Sequence, residues 1–243
     1  MRKSLLIVTI LLLGMSSCQQ DDELIYSCDP VEDAWAKENL DDIRVMTRAN
    51  WLEIDDSKKR VVYRAFSAEQ KQDFWVEKID KILLENQWEE NESAHILLLK
   101  DAVKEHLNWF DAKGIEADEK TFDEFKIFAY QWLEYARNEL KWDEFLIGAI
   151  VATGNDLVME NGKVKNSMLS SNRVILKKRE EVCNCKTSNV VFTTCGPLSN
   201  SDCVSDSCDE IRDCGFILSE TCDGICKFGG VISVSYTHLT LPT

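Results

Sequence analysis

The chain has 243 residues and a formal net charge of −15, and 29% of its residues are charged. This negative charge excludes the basic surface that nucleic-acid binding requires, and it opposes simple adsorption to anionic lipid headgroups. Because the chain contains only ten glycines and three prolines, its composition predicts a mainly α-helical protein and not a low-complexity chain.

Residues 1–18 have the pattern of an export signal that ends at a lipidated cysteine. A basic start precedes an apolar run from Leu5 to Leu13, which is too short to remain as a membrane-spanning helix. Small residues then lead to Cys18, in a sequence that resembles a lipobox. We therefore predict a lipid anchor on Cys18; plain secretion with an unmodified Cys18 is the alternative.

An acidic tether follows at residues 19–28. Its glutamine-then-acidic start resembles the export signal of Bacteroidota-type surface lipoproteins, which predicts that the protein lies on the outer face of the outer membrane. A solvated tether without a sorting role is the alternative. Cys28, within this tether, has no evident partner, and we expect a free, partly buried thiol.

Residues 29–154 show helical periodicity and predict an acidic, bundle-like helical domain. Pro30 suits the first position of a helix, and Ser67 and Thr121 each begin a capping-box pattern. A last apolar run, from Phe145, ends near Gly154 and predicts a buried helix. Strand signals are nearly absent from this part of the chain.

Aromatic and histidine residues in this domain are more typical of a core than of a site. Most of the seven tryptophans lie at core spacing, although Trp51, Trp88 and Trp142 lie near predicted helix ends and could contact a ligand such as a carbohydrate. His95 and His106 lack a metal-ligand motif, and no nucleophile or phosphate-binding motif occurs. We therefore predict no enzyme activity, no cofactor and no metal site.

Residues 155–182 lose this periodicity and become basic. An Asn-Gly pair at 161–162 is a turn signal, so we interpret the segment as a solvated linker or a short hairpin. Its basic run could instead be a processing site that releases the chain after it. That run is Lys177, Lys178 and Arg179.

The segment 183–230 is a cysteine-rich module with eight cysteines. So short a segment cannot bury enough apolar surface to fold alone, and export favours oxidation, so we predict a disulfide scaffold. Zinc is the alternative, because closely spaced cysteine pairs can also hold a metal ion. The cysteines are Cys183, Cys185, Cys195, Cys203, Cys208, Cys214, Cys222 and Cys226.

Several of these stretches resemble the bacteriocin fulvocin C-related family. The motifs are Cys183–Cys185, Asp213–Phe216 and Cys222–Cys226 in the module, and Arg64–Phe66 and Phe74–Lys78 in the helical part. The resemblance implies an exported protein with a helical N-terminal region, a terminal cysteine cluster and antibacterial activity. It implies no catalytic residue.

Together these patterns predict a surface lipoprotein in which a helical domain near the membrane carries an outward disulfide-stabilised module. The predicted function is antagonism through a target molecule on another cell, and the alternative is a non-toxic binding or adhesion module. Residues 234–243 match the translation of a common sequencing-library adapter in order, so we leave them out of the fold.

Overall fold

The computed structural model describes residues 24–27, 29–165, 185, 187, 201–205 and 211–228. The described part is mainly α-helical with a small disulfide-bearing region at its end, as predicted. The helices are α1 (Pro30–Glu38), α2 (Leu40–Ile43), α3 (Arg48–Glu53), α4 (Asp56–Ala65), α5 (Ala68–Glu85), α6 (Glu90–Glu105), α7 (Glu119–Asn138) and α8 (Glu144–Val151). Short 3₁₀ turns cover Leu107–Phe110, Ile115–Ala117 and Phe216–Leu218.

Two of the predicted helix starts are confirmed by side-chain caps. Pro30 is the first residue of α1, where the Asp29 carboxylate accepts a hydrogen bond from the Val31 amide at 2.8 Å. Ser67 precedes α5 and forms a reciprocal capping box with Gln70. Each cap satisfies backbone donors that an uncapped helix would leave without partners.

The capping box predicted at Thr121 is wrong. Helix α7 begins three residues earlier than predicted, at Glu119, because the Asp118 carboxylate accepts the Thr121 amide at 2.7 Å and acts as the cap. Aspartate at this position also favours the positive end of the helix dipole.

The linker begins with a hairpin. Strands β1 (Met159–Glu160) and β2 (Lys163–Val164) pair in antiparallel fashion around Asn161 and Gly162, whose φ angles are 53° and 73°. Positive φ at both turn residues is what a tight two-residue hairpin requires. The short-hairpin interpretation therefore holds here, and Lys177, Lys178 and Arg179 lie outside the described residues.

Four further strands form two separate pairs in the cysteine-rich segment. Strand β3 (Ser201–Ser205) pairs with β6 (Gly224–Phe228), and β4 (Ile211–Cys214) pairs with β5 (Glu220–Cys222). Cys185 bonds to Cys203, and Cys214 bonds to Cys222. For these four cysteines the structure has disulfides, and the zinc alternative does not apply. We call β3 and β6 the ladder, and residues 211–222 the inserted hairpin.

The remaining cysteine predictions cannot be compared with the structure. Cys18, Cys28, Cys183, Cys195 and Cys208 lie outside the described residues, as does the side chain of Cys226. No helix in the described ranges is long and apolar enough to cross a membrane.

One hydrophobic core joins the helices to the inserted hairpin. Trp75, Trp132 and Phe125 are at most 1% exposed in the helical part, and Phe216 and Ile217 are fully buried in the same cluster. The hairpin is therefore integrated into the helical domain, in contrast to the predicted outward module. The physical reason is the apolar Phe-Ile-Leu run between Cys214 and Cys222, which the helices bury.

Candidate functional site

A cleft of about 990 Å³ lies between α6 and α7. One helical stripe from each helix lines it, and Glu89, the residue before α6, lines its end. Because His95 contacts Tyr135 near the end of α7, while Trp109 beyond α6 contacts Phe128 nearer its start, the two helices run in opposite directions. The lining residues are Glu89, Glu90, Asn91, Ala94, His95, Leu98, Phe128, Gln131, Trp132 and Tyr135.

Two reciprocal hydrogen bonds fix the centre of the cleft. The His95 ring nitrogen Nε2 lies 3.0 Å from the Trp132 carbonyl oxygen, and the Trp132 indole donates to the His95 carbonyl oxygen at 3.1 Å. Their rings stack with centroids 4.5 Å apart. This arrangement holds both side chains in single orientations, which favours a preformed site.

The same hydrogen bond sets the chemistry of His95. A carbonyl oxygen only accepts, so Nε2 carries the proton and Nδ1 keeps its lone pair. Burial lowers the pKa of His95 to about 4, although the hydrogen bond to the Trp132 carbonyl opposes this change. His95, which lines the cleft, is therefore neutral near pH 7, and its Nδ1 is an acceptor with no hydrogen-bond partner within the described ranges.

Further aromatic side chains support this centre from behind. Trp142 packs edge-on against Trp132 at 5.9 Å and contacts Trp88 at 5.8 Å. Its indole donates to the Glu92 carboxylate at 2.7 Å, while the other oxygen of Glu92 accepts from the Glu89 amide at 2.9 Å. Glu92 thus links Glu89, which lines the cleft, to Trp142, which packs against the cleft residue Trp132.

Phe216 of the inserted hairpin packs beneath the cleft. Its ring lies 5.6 Å from Trp132, 6.2 Å from Phe128 and 6.0 Å from Phe125, each in an edge-to-face arrangement. Trp132 and Phe128 also line the cleft. The C-terminal segment therefore supports the floor of a cleft that is built from the helical domain.

An ionic contact anchors the hairpin to α4. Asp213 is buried and accepts hydrogen bonds from Arg60 at 3.0 Å and from Arg64 at 2.8 Å. Burial would raise the pKa of Asp213, but the two guanidinium groups outweigh it and lower this pKa below its ordinary value. Asp213 is therefore charged near pH 7, with both oxygens paired.

Two residues of the inserted hairpin with positive φ, Gly215 and Ile217, are held by specific contacts. Gly215 has a φ of 71°, and a Cβ there would lie 1.8 Å from the Glu220 carboxylate, so only glycine fits. That carboxylate accepts the Phe216 amide at 3.1 Å. Ile217, in a left-handed conformation, presents its carbonyl to the buried Tyr63 hydroxyl at 3.5 Å. A β-branched residue in this conformation is held by its surroundings.

Of the tryptophans and histidines that the sequence analysis singled out, the structure places only some at the cleft. Trp51 is buried against Phe74, away from the cleft, and Trp88 and Trp142 stand behind it. His95 belongs to the cleft, whereas His106 stacks on Trp109. The cleft residues that sequence analysis missed include Gln131 and Tyr135. Their only signal in the sequence was spacing, since 128, 131, 132 and 135 share one helical stripe.

No group of three or more histidine, cysteine or acidic side chains in the described ranges is placed to bind a metal ion. No family model, curated protein or solved structure matches this chain.

Proposed function

We propose that this protein is an exported, lipid-anchored binding protein that holds its ligand in the cleft between α6 and α7. The observation that supports this most is the preformed cleft of about 990 Å³, with locked aromatic side chains and a few polar groups. Such a combination is typical of ligand sites. The inserted hairpin acts as its structural support.

A cleft-filling variant tests this function. Ala94 is exposed, lies on α6 and lines the cleft, so Ala94→Trp should occupy the space without disturbing the core. Ala34 is exposed on α1 and provides the matched control Ala34→Trp. We expect the full chain to bind a probe on an oligosaccharide and peptide array, Ala34→Trp to retain it and Ala94→Trp to lose it. Binding that survives Ala94→Trp, or no binding by the wild type, contradicts the proposal.

The membrane location is a separate part of this proposal. It rests on the lipobox-like sequence before Cys18 and on the acidic tether after it. Metabolic labelling with a tagged fatty acid should mark the wild type and not Cys18→Ser. Protease treatment of intact cells should remove the protein if it lies on the outer face of the outer membrane.

Antagonism of other cells is the second candidate function. The bridges Cys185–Cys203 and Cys214–Cys222 favour it, because they support the disulfide scaffold on which the fulvocin C-related resemblance depends. Release of the module at Lys177–Arg179 would expose Phe216 and Ile217, so we propose that the uncleaved chain is the active form. The oxidised full chain should inhibit related strains; growth without inhibition contradicts this candidate.

A further inference from the structure

The backbone of the cleft walls restricts which ligands can bind. Both walls are α-helices, whose amides and carbonyls are bonded within the helix away from its ends. An extended peptide that binds by adding a strand needs an open sheet edge, and these walls have none. Apart from the first turn of α6, at Glu90 and Asn91, recognition therefore falls to side chains.

The polar residues of the cleft also disfavour an amphipathic helix as the ligand. Asn91 and Gln131 are exposed polar residues within the two lining stripes, and Glu89 and Glu90 occupy one end. The side-chain oxygen of Asn91 already accepts the Glu92 amide, but a helix that buried its apolar face here would remove the Asn91 amide nitrogen and Gln131 from water without giving them partners. Burial of unpartnered amides and carboxylates is costly.

The same residues suit a ligand with both hydroxyl groups and small apolar faces. Tyr135 keeps 43% of its surface exposed and can offer its aromatic ring to the C–H face of a sugar, while Leu98 adds apolar surface to the same cleft. The amides of Asn91 and Gln131 can both donate and accept hydrogen bonds, and Nδ1 of His95 can accept one. Sugar hydroxyls both donate and accept hydrogen bonds, so they suit each of these groups.

The charge around the cleft selects among saccharides. Glu89 and Glu90 lie at its mouth, and the whole chain has a formal net charge of −15. This field repels sulfated or carboxylated chains. It leaves uncharged saccharides as the class that the cleft accommodates best.

We infer that the α6–α7 cleft binds an uncharged oligosaccharide, with Tyr135 as the stacking platform and Asn91, Gln131 and His95 as its hydroxyl partners. This inference rests on the proposed binding function and specifies its ligand. It also assigns specificity to Gln131 and to Tyr135, whose ring contacts His95 with centroids 4.8 Å apart.

Calorimetric titration of the full chain with named probes tests the inference. The neutral probes are cellohexaose, mannohexaose and chitohexaose, the anionic probe is a chondroitin sulfate oligosaccharide, and the peptide probes are an oligolysine and an amphipathic helix. We expect at least one neutral probe to bind and the anionic probe not to bind. Tyr135→Ala should weaken binding about tenfold, equivalent to about 1.4 kcal/mol, because it removes both a stacking contact and the apolar area that the ring buries.

Matched variants separate recognition from folding. Tyr130 lies on the same helix, is 48% exposed and does not line the cleft, so Tyr130→Ala should bind normally. Gln131→Ala should weaken binding, while Gln87→Ala, at an exposed position outside the cleft, should not.

The outcomes distinguish this inference from the proposed function. If only a peptide or the anionic probe binds, and Ala94→Trp abolishes that binding, the binding function stands and the uncharged-saccharide inference is overturned. If no probe binds, both are overturned. A neutral probe that binds Tyr135→Ala and Gln131→Ala as well as the wild type also overturns the inference.

Discussion

The two bridged parts of the cysteine-rich segment are stabilised in different ways. The inserted hairpin is joined by Cys214–Cys222 and places two fully buried apolar residues, Phe216 and Ile217, in the core of the helical domain. The ladder contains Cys203, bonded to Cys185, and its Val204 is 38% exposed. Of the ladder side chains that the structure describes, at 203–205 and 224, none is a buried apolar group.

This difference shows that cysteine density does not determine whether a segment folds independently. The inserted hairpin has the sequence of a disulfide-stabilised loop, yet it also has a hydrophobic anchor and a buried ion pair. We expect the ladder to depend more on its covalent link, because its described apolar side chain, Val204, is partly exposed. Each prediction below tests one side of this comparison.

Loss of the hydrophobic anchor should have the largest effect. Phe216→Ala removes a buried ring that contacts Trp132, Phe128 and Phe125, so we expect the free energy of unfolding to fall by about 3–5 kcal/mol. Val204→Ala on the ladder should change it by less than about 1 kcal/mol, because Val204 is partly exposed. Urea unfolding of the oxidised proteins measures both. Similar losses from the two substitutions would remove the distinction between hairpin and ladder.

The buried ion pair should contribute the next largest effect. Asp213 has a φ of 84°, which asparagine tolerates, so Asp213→Asn removes the charge without adding backbone strain. It leaves Arg60 and Arg64 without their carboxylate, and we expect a loss of about 3 kcal/mol. Asp123→Asn, which breaks a surface pair with Lys126, should cost less than about 1 kcal/mol. Equal effects would show that the Asp213 pair is not effectively buried.

The pH dependence of the free energy of unfolding should also reveal the ion pair of Asp213 with Arg60 and Arg64. The pKa of Asp213 is lowered in the folded protein, so its stabilisation is fully present above the ordinary aspartate pKa of 3.8. It is lost as the pH falls through the lower folded value. Wild-type stability should therefore fall more steeply than that of Asp213→Asn below pH 3.8. Parallel acid unfolding curves would contradict this assignment.

Local features of the helical domain were predictable because their causes lie within a few residues. Pro30 and the Ser67 box set helix starts through adjacent backbone groups, and the Asn-Gly turn at 161–162 set the hairpin. The helix start predicted at Thr121 is wrong because Asp118, three residues earlier, caps the helix instead. Local patterns thus predict the presence of a helix more reliably than its first residue.

Long-range contacts were not predictable from the same patterns. Lys78 lies on the apolar stripe of α5, and its ammonium group is fully buried, where it donates to the carbonyls of Ala149, Ile150 and Thr153 at the end of α8. Phe216 reaches the floor of the cleft from more than eighty residues beyond Trp132. In both cases the partner is distant in sequence, so periodicity identified the element and not its contact.

Removal of each disulfide should affect the inserted hairpin and the ladder differently. Each bridge closes a short loop, so its loss costs about 2–3 kcal/mol of local stability. Without Cys214–Cys222, made by a double serine substitution, the hairpin should stay docked through Phe216. Without Cys185–Cys203, the amides of β3 and β6 should lose protection.

Hydrogen exchange followed by mass spectrometry measures this contrast. We expect the ladder peptides of the Cys185→Ser, Cys203→Ser protein to exchange faster, with the helices unchanged. If the hairpin of the Cys214→Ser, Cys222→Ser protein exchanges as fast as that ladder, its hydrophobic anchor is not sufficient to hold it.

The smallest effect should come from the polar contact at the edge of the hairpin. The Glu116 carboxylate accepts the Thr221 amide at 2.8 Å and joins β5 to the turn before α7. Glu116→Ala should cost about 1 kcal/mol, because the amide loses its acceptor, whereas Glu116→Gln keeps an oxygen there and should cost less. Urea unfolding again provides the measurement. If Glu116→Gln were as destabilising as Glu116→Ala, the negative charge would be the important property, and the hairpin would depend on electrostatic attraction at this edge as well as at Asp213.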